Sequence, residues 1–245
     1  MGHEQVIRDP AAVAEFLARV SDAPFLALDT ETSGLDPHTD TLLLIQFGTA
    51  DAQALVDAQA VPPETLAPVF HPDPVVVMHN ASFDLKMLWR WGGAALRLPA
   101  ARIADTMAAE QILRNGRKSD VVMQGYSLRA LAERYANMEL DKTVRQGFYG
   151  VHSIADLSDA ELFYAERDVE ATWKIFASQL PELEREGLLR TAAVEGQAQV
   201  GFAQLELEGC PIDVEAWRAI LADATAQTGE ARRALDQHFW AVADR

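Results

Sequence analysis

Cysteine and long apolar runs are scarce in this sequence, and each shortage excludes a class of protein. Cys210 is the only cysteine in 245 residues, so an internal disulfide is impossible. No run of roughly 18 apolar residues occurs, so we expect no membrane-spanning helix and no membrane partner. The N-terminus also lacks the charged and apolar leader of a signal peptide. These absences predict a cytoplasmic protein without disulfides.

Basic residues are scarce as well. The sequence has 21 Lys and Arg against 37 Asp and Glu, a formal net charge of −16 at pH 7. Such a balance argues against a nucleic-acid partner, because phosphate binding favours a basic face. The charge is uneven, however, because residues 113–150 carry seven basic and four acidic side chains. That segment is compatible with binding one short strand end, although ordinary scatter of surface charge is the simpler explanation on composition alone.

The apolar patterning predicts the class of fold. Three short strands joined by turns as an antiparallel meander are expected over residues 25–29, 41–48 and 54–57. A continuous apolar run over 75–78 predicts a central strand, and helical and strand patterns alternate after it. Ser158 and Glu161 form a capping box that begins a long helix, which is expected to end near Leu180, before Pro181. This order predicts an α/β fold, a ribonuclease-H-like mixed sheet flanked by helices.

The composition changes once along the chain. Near residues 181–188, Ala, Glu, Gln and Arg become frequent at helical spacing. We therefore predict a domain over residues 1–183 and a helical C-terminal extension over residues 184–245. Neither part contains an internal repeat or a low-complexity tract.

Two acids stand at the end of the first predicted strand. Thr30 separates Asp29 from Glu31, and alternation along a strand places both carboxylates on one face, where they can share a divalent cation. The carboxyl ends of sheet strands are also where α/β folds usually place their sites. The pair alone is weak evidence, because about five acid-x-acid triplets are expected by chance at this acid content.

Two further acids stand on predicted helices. Asp84 lies in the first helical turn after the strand over 75–78, with Asn80 at the junction. A favourable interaction with the helix dipole is the alternative explanation for this acid. Tyr164 and Asp168 are four residues apart on the long helix and share a face, although a surface acid beside an amphipathic tyrosine is common. The order of the three pieces along the chain therefore carries more weight than any one of them.

In this order the motifs resemble the DEDD superfamily of 3′–5′ exonucleases, in the branch with a tyrosine in its last motif. That branch includes ribonuclease D and the proofreading domain of family A DNA polymerases. The family's three motifs are similar to Asp29-Thr30-Glu31-Thr32, to His79-Asn80-Ala81-Ser82-Phe83-Asp84, and to Tyr164 followed by Asp168. Its linking segments are similar to Asp105-Thr106 and to Ser127-Leu128-Arg129-Ala130-Leu131. The resemblance spans roughly residues 22–180.

The resemblance implies a metal-dependent 3′–5′ exonuclease. Such an enzyme hydrolyses the terminal phosphodiester of DNA, at single-stranded or frayed 3′ ends, and releases nucleoside monophosphates. It uses two ions, Mg²⁺ or Mn²⁺, which an all-carboxylate site favours. The implied metal ligands are Asp29, Glu31, Asp84 and Asp168, and Tyr164 completes the catalytic set by orienting the attacking water.

The implied substrate contacts surround these acids. They are Thr30, Thr32, Leu35, His79, Asn80, Phe83, Lys142 and Gln146. Leu35, Phe83 and Phe148 are candidates for stacking on bases or wedging between them. A small basic footprint for phosphates is expected around Arg114–Lys118 or around Lys142–Arg145.

The tail bears on the choice of substrate. Residues 206–213, Glu-Leu-Glu-Gly-Cys-Pro-Ile-Asp, resemble the stretch that opens the polymerase part of family A enzymes, which favours DNA and a polymerase domain or partner. An ordinary helix, turn and second helix is the alternative for this tail. The alternative functions are a ribonuclease D-like RNA exonuclease and a catalytically inactive nucleic-acid-binding module. The presence of all four acids and Tyr164 argues against the inactive module.

Overall fold

The fold is organised around one mixed β-sheet. The computed structural model describes residues 5–70, 74–97, 102–115, 125–141 and 143–243. The strands in these residues are β1 (Val6–Ile7), β2 (Phe25–Thr32), β3 (Leu42–Gly48), β4 (Gln53–Asp57), β5 (Val75–Met78) and β6 (Ile103–Asp105). They lie in the order β1-β4-β3-β2-β5-β6, with β2, β3 and β4 antiparallel, β5 and β6 parallel to β2, and β1 parallel to β4. The predicted mixed sheet is confirmed, and β1 is the strand that the sequence did not indicate.

Helices cover both faces of the sheet. The helices of the compact unit that contains the sheet are α1 (Pro10–Arg19), α2 (Ala81–Gly92), α3 (Thr106–Arg114), α4 (Leu128–Ala136), α5 (Asp159–Arg185) and α6 (Leu189–Glu208). A further helix, α7 (Val214–Ala243), belongs to a second compact unit. Short 3-10 helices lie between them, at Pro63–Phe70, Gly93–Ala95, Val144–Phe148 and Ile154–Asp156. The segment after Pro62 is therefore a 3-10 helix, and two short helical segments lie between Val144 and Asp156.

Strand β2 divides its side chains between the two helical layers. Leu26 and Leu28 belong to the apolar cluster that contains the buried residues of α1 and α2. Residues two apart on a strand share a face, so Thr30 points to that same side. Asp29 and Glu31 point to the opposite side, toward α5. The end of β2 therefore contributes to both faces of the sheet at once.

Helix α5 is longer than the sequence indicated. The prediction that it ends near Leu180 was wrong, because the helix continues to Arg185 with Pro181 inside it. Proline removes only one backbone donor, and the last turn has tertiary contacts that offset this loss. Leu183 is buried, and Glu182 accepts a hydrogen bond of 2.8 Å from Arg114.

The chain divides into two compact units. The first is Met1–Leu207, and the second is Glu208–Arg245. The second unit consists mainly of α7, whose exposed side chains include Trp217, Leu221 and Phe239. Among the described residues, no helix combines the length and the apolar character that a membrane span requires. The predicted domain boundary at residue 183 stays a prediction.

Gly196 of α6 permits a close approach to β6. A Cβ at position 196 would stand 2.3 Å from the carbonyl oxygen of Ile103. We expect Gly196→Ala to destabilise the protein by about 1–3 kcal/mol, the usual cost of overpacking, in urea unfolding followed by circular dichroism.

Gly201→Ala is the matched control, because nothing lies within 4 Å of a Cβ at that position of the same helix. Its unfolding midpoint should stay unchanged or rise, since alanine is the better helix former by roughly 1 kcal/mol. Equal midpoints for the two variants would contradict this packing.

Candidate active site

Three carboxylates meet at the end of β2. Asp29 and Glu31 extend from the strand, and Asp168 extends from α5 on the same face of the sheet. One oxygen of each lies within 4.8 Å of the others, a spacing that allows them to share a metal ion. Glu31 and Asp168 are buried, at 5% and 6% exposed, and Asp29 is half-buried. The strand alternation that the sequence predicted is the reason that Asp29 and Glu31 point the same way.

The fourth acid approaches from the other face of the sheet. Asp84 lies in the first turn of α2 and is 2% exposed. The Thr30 hydroxyl donates a hydrogen bond of 2.6 Å to its Oδ1. Thr30 lies between Asp29 and Glu31, so this hydrogen bond links Asp84 to the strand segment that carries these two acids. The four acids line one cleft of about 430 Å³.

Burial raises the pKa of all four acids, and repulsion by neighbouring carboxylates adds to the rise at Glu31, Asp84 and Asp168. Burial is the largest cause in each case. It raises the pKa of Asp29 to about 6 and that of Asp168 to about 8, and the nearby Asp29 carboxylate also contributes to the rise at Asp168. The pKa values of Glu31 and Asp84 are likewise raised, by burial and then by the charge of Asp29. Arg145 opposes the rise at Asp29, Glu31 and Asp168.

This donor set fits a hard divalent cation. The Oδ1 atom of Asp168 is buried and has no hydrogen-bond partner among the described residues. In the same part of the chain, no Lys, Arg or His nitrogen lies within 4.0 Å of the four carboxylates. A buried carboxylate without a partner is costly, and a coordinated metal ion is one of the few ways to offset that cost.

Tyr164 stands one turn before Asp168 on α5. It is 8% exposed, and its ring packs against that of Phe148 with the centroids 6.4 Å apart. Burial and the neighbouring Asp168 carboxylate raise the pKa of its hydroxyl, which therefore stays protonated at neutral pH. Phe148 is itself only 1% exposed, so the expectation that it stacks on or wedges between bases was wrong: it is a core residue that supports Tyr164.

Asp105 fixes the junction that presents Asp84. Its carboxylate accepts hydrogen bonds from the backbone amides of Asn80 and Ala81, at 3.2 and 2.8 Å, and from those of Met107 and Ala108, at 2.8 and 3.1 Å. It therefore joins the first turns of α2 and α3. Asn80 adopts the left-handed conformation, with φ 64°, which asparagine tolerates better than most residues. These bonds fix the direction in which α2 leaves the sheet.

A buried glutamate joins the helices on the α5 side. Glu110 of α3 is fully buried and accepts hydrogen bonds from Arg114, Arg134 and Tyr135. Arg114 also forms a forked pair with Glu182 of α5. The expectation that Arg114 contributes to a phosphate footprint was therefore wrong, because its guanidinium is used inside the protein. Lys118, the other end of that cluster, lies outside the described residues.

The remaining predicted contacts fall into three groups. Leu35, His79, Asn80 and Phe83 line the cleft, as do Thr30 and the residues predicted to be catalytic. The hydroxyl of Thr32 is buried and donates to the carbonyl oxygen of Gly34, and Gln146 is exposed outside the cleft lining. Lys142 lies outside the described residues.

Several cleft residues were not predicted to be site residues. They are Met107, Ser127, Leu128, Arg129, Leu140 and Arg145. The sequence indicated Arg145 only as part of a basic footprint, and the structure places it in the cleft lining together with Glu31. Burial disfavours its charged form, but Glu31 and Tyr164 outweigh that effect and raise its pKa. The local excess of basic residues over 113–150 was the signal that could have identified Arg129 and Arg145.

The acid cluster predicts how stability depends on pH without metal. The folded pKa values of about 6 for Asp29 and about 8 for Asp168 exceed the ordinary value near 3.9, so the destabilisation from ionising them should grow from about pH 4 to pH 8. We expect Asp168→Asn, measured in EDTA, to gain in melting temperature over wild type as the pH rises through this range. Mg²⁺ should raise the melting temperature of wild type more than that of the variant. A constant difference between the two proteins from pH 5 to pH 8 would contradict the cluster's electrostatics.

Comparison with known proteins gives the family. Residues 5–184 match the family model described as 3′–5′ exonuclease, of the DNA polymerase A type. DNA polymerase I of Aquifex aeolicus is 31% identical over 218 residues, covering 81% of this chain and 34% of that protein. Ribonuclease D of Zymomonas mobilis is 31% identical over 186 residues, covering 74% of this chain and 44% of that protein. The chain thus spans less than half the length of these two relatives.

A solved structure shows the same fold. Ribonuclease D of Escherichia coli superposes with a TM-score of 0.68 at 23% identity, over 89% of this chain and 54% of that one. The family model, the two relatives and this neighbour agree with the resemblance that the three motifs indicated. The chain belongs to the 3′–5′ exonuclease family.

Proposed function

We propose that this chain removes nucleoside monophosphates from the 3′ end of DNA by metal-dependent hydrolysis, acting on single-stranded or frayed ends. One observation carries the proposal: Asp29, Glu31, Asp84 and Asp168 converge in a single cleft of a chain that belongs to the 3′–5′ exonuclease family. The cleft is open to solvent at residues such as Leu35, which is 59% exposed, so a strand end can enter.

The four acids would hold the metal ions. Asp29, Glu31 and Asp168 form one group, and Asp84, whose pKa is raised by the charge of Asp29, forms the second. When bound, two divalent ions supply a hydroxide nucleophile and stabilise the leaving oxygen of a phosphodiester. The all-oxygen donor set favours Mg²⁺ or Mn²⁺ over softer metals.

Tyr164 would orient the attacking water. Its raised pKa keeps the hydroxyl protonated, so it acts as a hydrogen-bond donor or acceptor and not as the base. Its ring cannot swing away easily because Phe148 is packed against it. The position of this hydroxyl beside Asp168 supports the role.

The rest of the cleft would bind the 3′ nucleotide. Leu35 and Phe83 supply apolar surface for the terminal base, and Asn80 is an exposed amide at the start of α2. Arg129 and Arg145 supply positive charge to the lining of the cleft. Base stacking with little sequence preference suits an enzyme that must accept any terminal nucleotide.

DNA is favoured over RNA by the tail. Residues 206–213 resemble the opening of a family A polymerase, and we propose that residues 184–245 precede or contact such a domain in the cell. The second candidate substrate is RNA, favoured by the ribonuclease D relative, which matches 74% of this chain. Both candidates require the same acids and the same hydrolysis.

Digestion of 5′-labelled oligonucleotides tests the proposal. Wild-type protein with Mn²⁺ or Mg²⁺ should shorten single-stranded DNA one nucleotide at a time, and should act less on blunt duplex and on RNA. We expect Asp29→Asn to lose activity by at least about a thousandfold, because both ion sites lose a shared ligand. No metal-dependent shortening by wild type would reject the function, and faster digestion of RNA would select the second candidate.

Arg145 provides a sharper test of phosphate recognition. Removing a charge-assisted hydrogen bond to phosphate should lower kcat/KM about tenfold or more, so we expect that loss for Arg145→Gln. The stabilisation by Mn²⁺ should remain, because Arg145 is not a metal ligand. Arg185→Gln is the matched control at the far, exposed end of α5. Equal kcat/KM for both variants would show that Arg145 does not contact the substrate.

A further inference from the structure

A second groove adjoins the catalytic cleft at the same edge of the sheet. Its volume is about 620 Å³. The pairing of Thr32 with Leu42 shows that the end of β2 and the start of β3 are neighbours at this edge. The groove is lined by residues of the β2–β3 connection, the segment after β4, and α2, among them His38, Asp40, Gln59, Met87, Arg90 and Trp91.

The groove and the cleft share two walls. Helix α2 places Phe83 and Asp84 in the cleft, and Met87 and Arg90 in the groove. These residues recur at helical spacing, so they form one continuous face of α2. The connection between β2 and β3 behaves in the same way: Leu35 lies in the cleft, and the residues from Pro37 onward line the groove. The groove is therefore a continuation of the cleft along the same surfaces.

The distance between them suits a nucleic-acid strand. Six or seven residues of α2 separate Asp84 from Arg90 and Trp91, which corresponds to about 10 Å along a helix axis. Successive phosphates of one strand are about 3.4 Å apart along the axis of a duplex and farther apart in an extended strand. A strand whose last phosphodiester is at the acids would therefore reach the groove within about three nucleotides.

The side chains in the groove suit nucleotides better than a purely apolar ligand. Arg90 is exposed, and among the described residues it forms no hydrogen bond or ion pair, so its charge is available to a phosphate. Trp91 beside it is half-buried, which leaves part of the indole open for stacking. The acid in the groove lining, Asp40, accepts a hydrogen bond of 2.8 Å from the Asp36 amide and so has an internal partner.

We propose that this groove binds the nucleotides upstream of the scissile bond, with Trp91 stacking on a base and Arg90 pairing with a phosphate. The proposal rests on the exonuclease function above and extends it from one terminal nucleotide to a strand. Leu35, at the boundary between cleft and groove, would separate the terminal base from those behind it.

Substrate length distinguishes this site from the catalytic one. The experiment compares kcat/KM for a series from dinucleotide to octanucleotide with wild type, Trp91→Ala, Trp91→Phe and Arg90→Gln, with Arg185→Gln as the control. Wild type should prefer longer oligonucleotides. Trp91→Ala should lose about tenfold on the octanucleotide, as expected for an aromatic that stacks on one base. All variants should match wild type on the dinucleotide, which does not reach the groove.

Two further measurements separate folding from binding. Trp91→Phe should keep most of the length preference, because phenylalanine also stacks, and melting temperatures identify any variant that is merely destabilised. Arg90→Gln should reduce the salt dependence of binding to the octanucleotide, because one phosphate contact is lost.

The outcomes keep the two proposals apart. If wild type hydrolyses no oligonucleotide, the exonuclease function itself fails. If wild type hydrolyses them and the folded variants keep its full length preference, only the groove is rejected. A loss that is equal on dinucleotide and octanucleotide would also overturn the groove, since it would place Trp91 and Arg90 in support of the catalytic cleft.

Discussion

The burial of four carboxylates in one cleft is the constraint on which this structure depends. Each of these acids is at least half-buried, where a negative charge is poorly solvated, and three of them lie within 4.8 Å of one another. Without a cation the arrangement opposes folding, as their raised pKa values show. The surrounding fold must therefore be stable enough to hold the acids together before a metal ion binds.

Two other buried acids have structural roles, and their carboxylates accept many more hydrogen bonds. Glu110 accepts hydrogen bonds from four side chains, on α3, α4 and α5. Asp105 accepts hydrogen bonds from four backbone amides. By contrast, Asp168 leaves one buried oxygen without a partner among the described residues. The fold provides hydrogen-bond donors for the carboxylates of Glu110 and Asp105, but leaves an oxygen of Asp168 without one where an external ligand is expected. The contrast supports a metal site more strongly than acid content does.

Much of the fold could be predicted from local patterns. Alternation along β2 places Asp29 and Glu31 on one face, and the capping box at Ser158 begins α5 where the sequence indicated. The end of α5 could not be predicted, because Pro181 is a strong local signal and the contacts of Glu182 and Leu183 that override it come from residues distant in sequence.

The site residues that belong to sequence motifs could be predicted, and those that depend on tertiary packing could not. Nothing in the sequence indicates that Arg114 pairs with Glu110 and Glu182, or that Phe148 supports Tyr164. Arg145 reaches the cleft because its 3-10 helix is anchored by the buried Phe148 and by a hydrogen bond of 2.8 Å from Gly150 to Ser33. Those contacts depend on the assembled fold and leave no periodic pattern in the chain.

The hydrogen bond from Thr30 to Asp84 has a geometric consequence. Because neighbouring residues of a strand face opposite ways, Asp29 and Glu31 belong to the α5 side of the sheet, and Thr30 brings Asp84 in from the α2 side. The spacing between the two groups of acids therefore depends on a single β-strand and on the hydrogen bond that ties Asp84 to it. Small shifts of α2 or α5 can tilt one group, but Asp84 stays attached to the strand that carries Asp29 and Glu31 as long as the Thr30 bond holds.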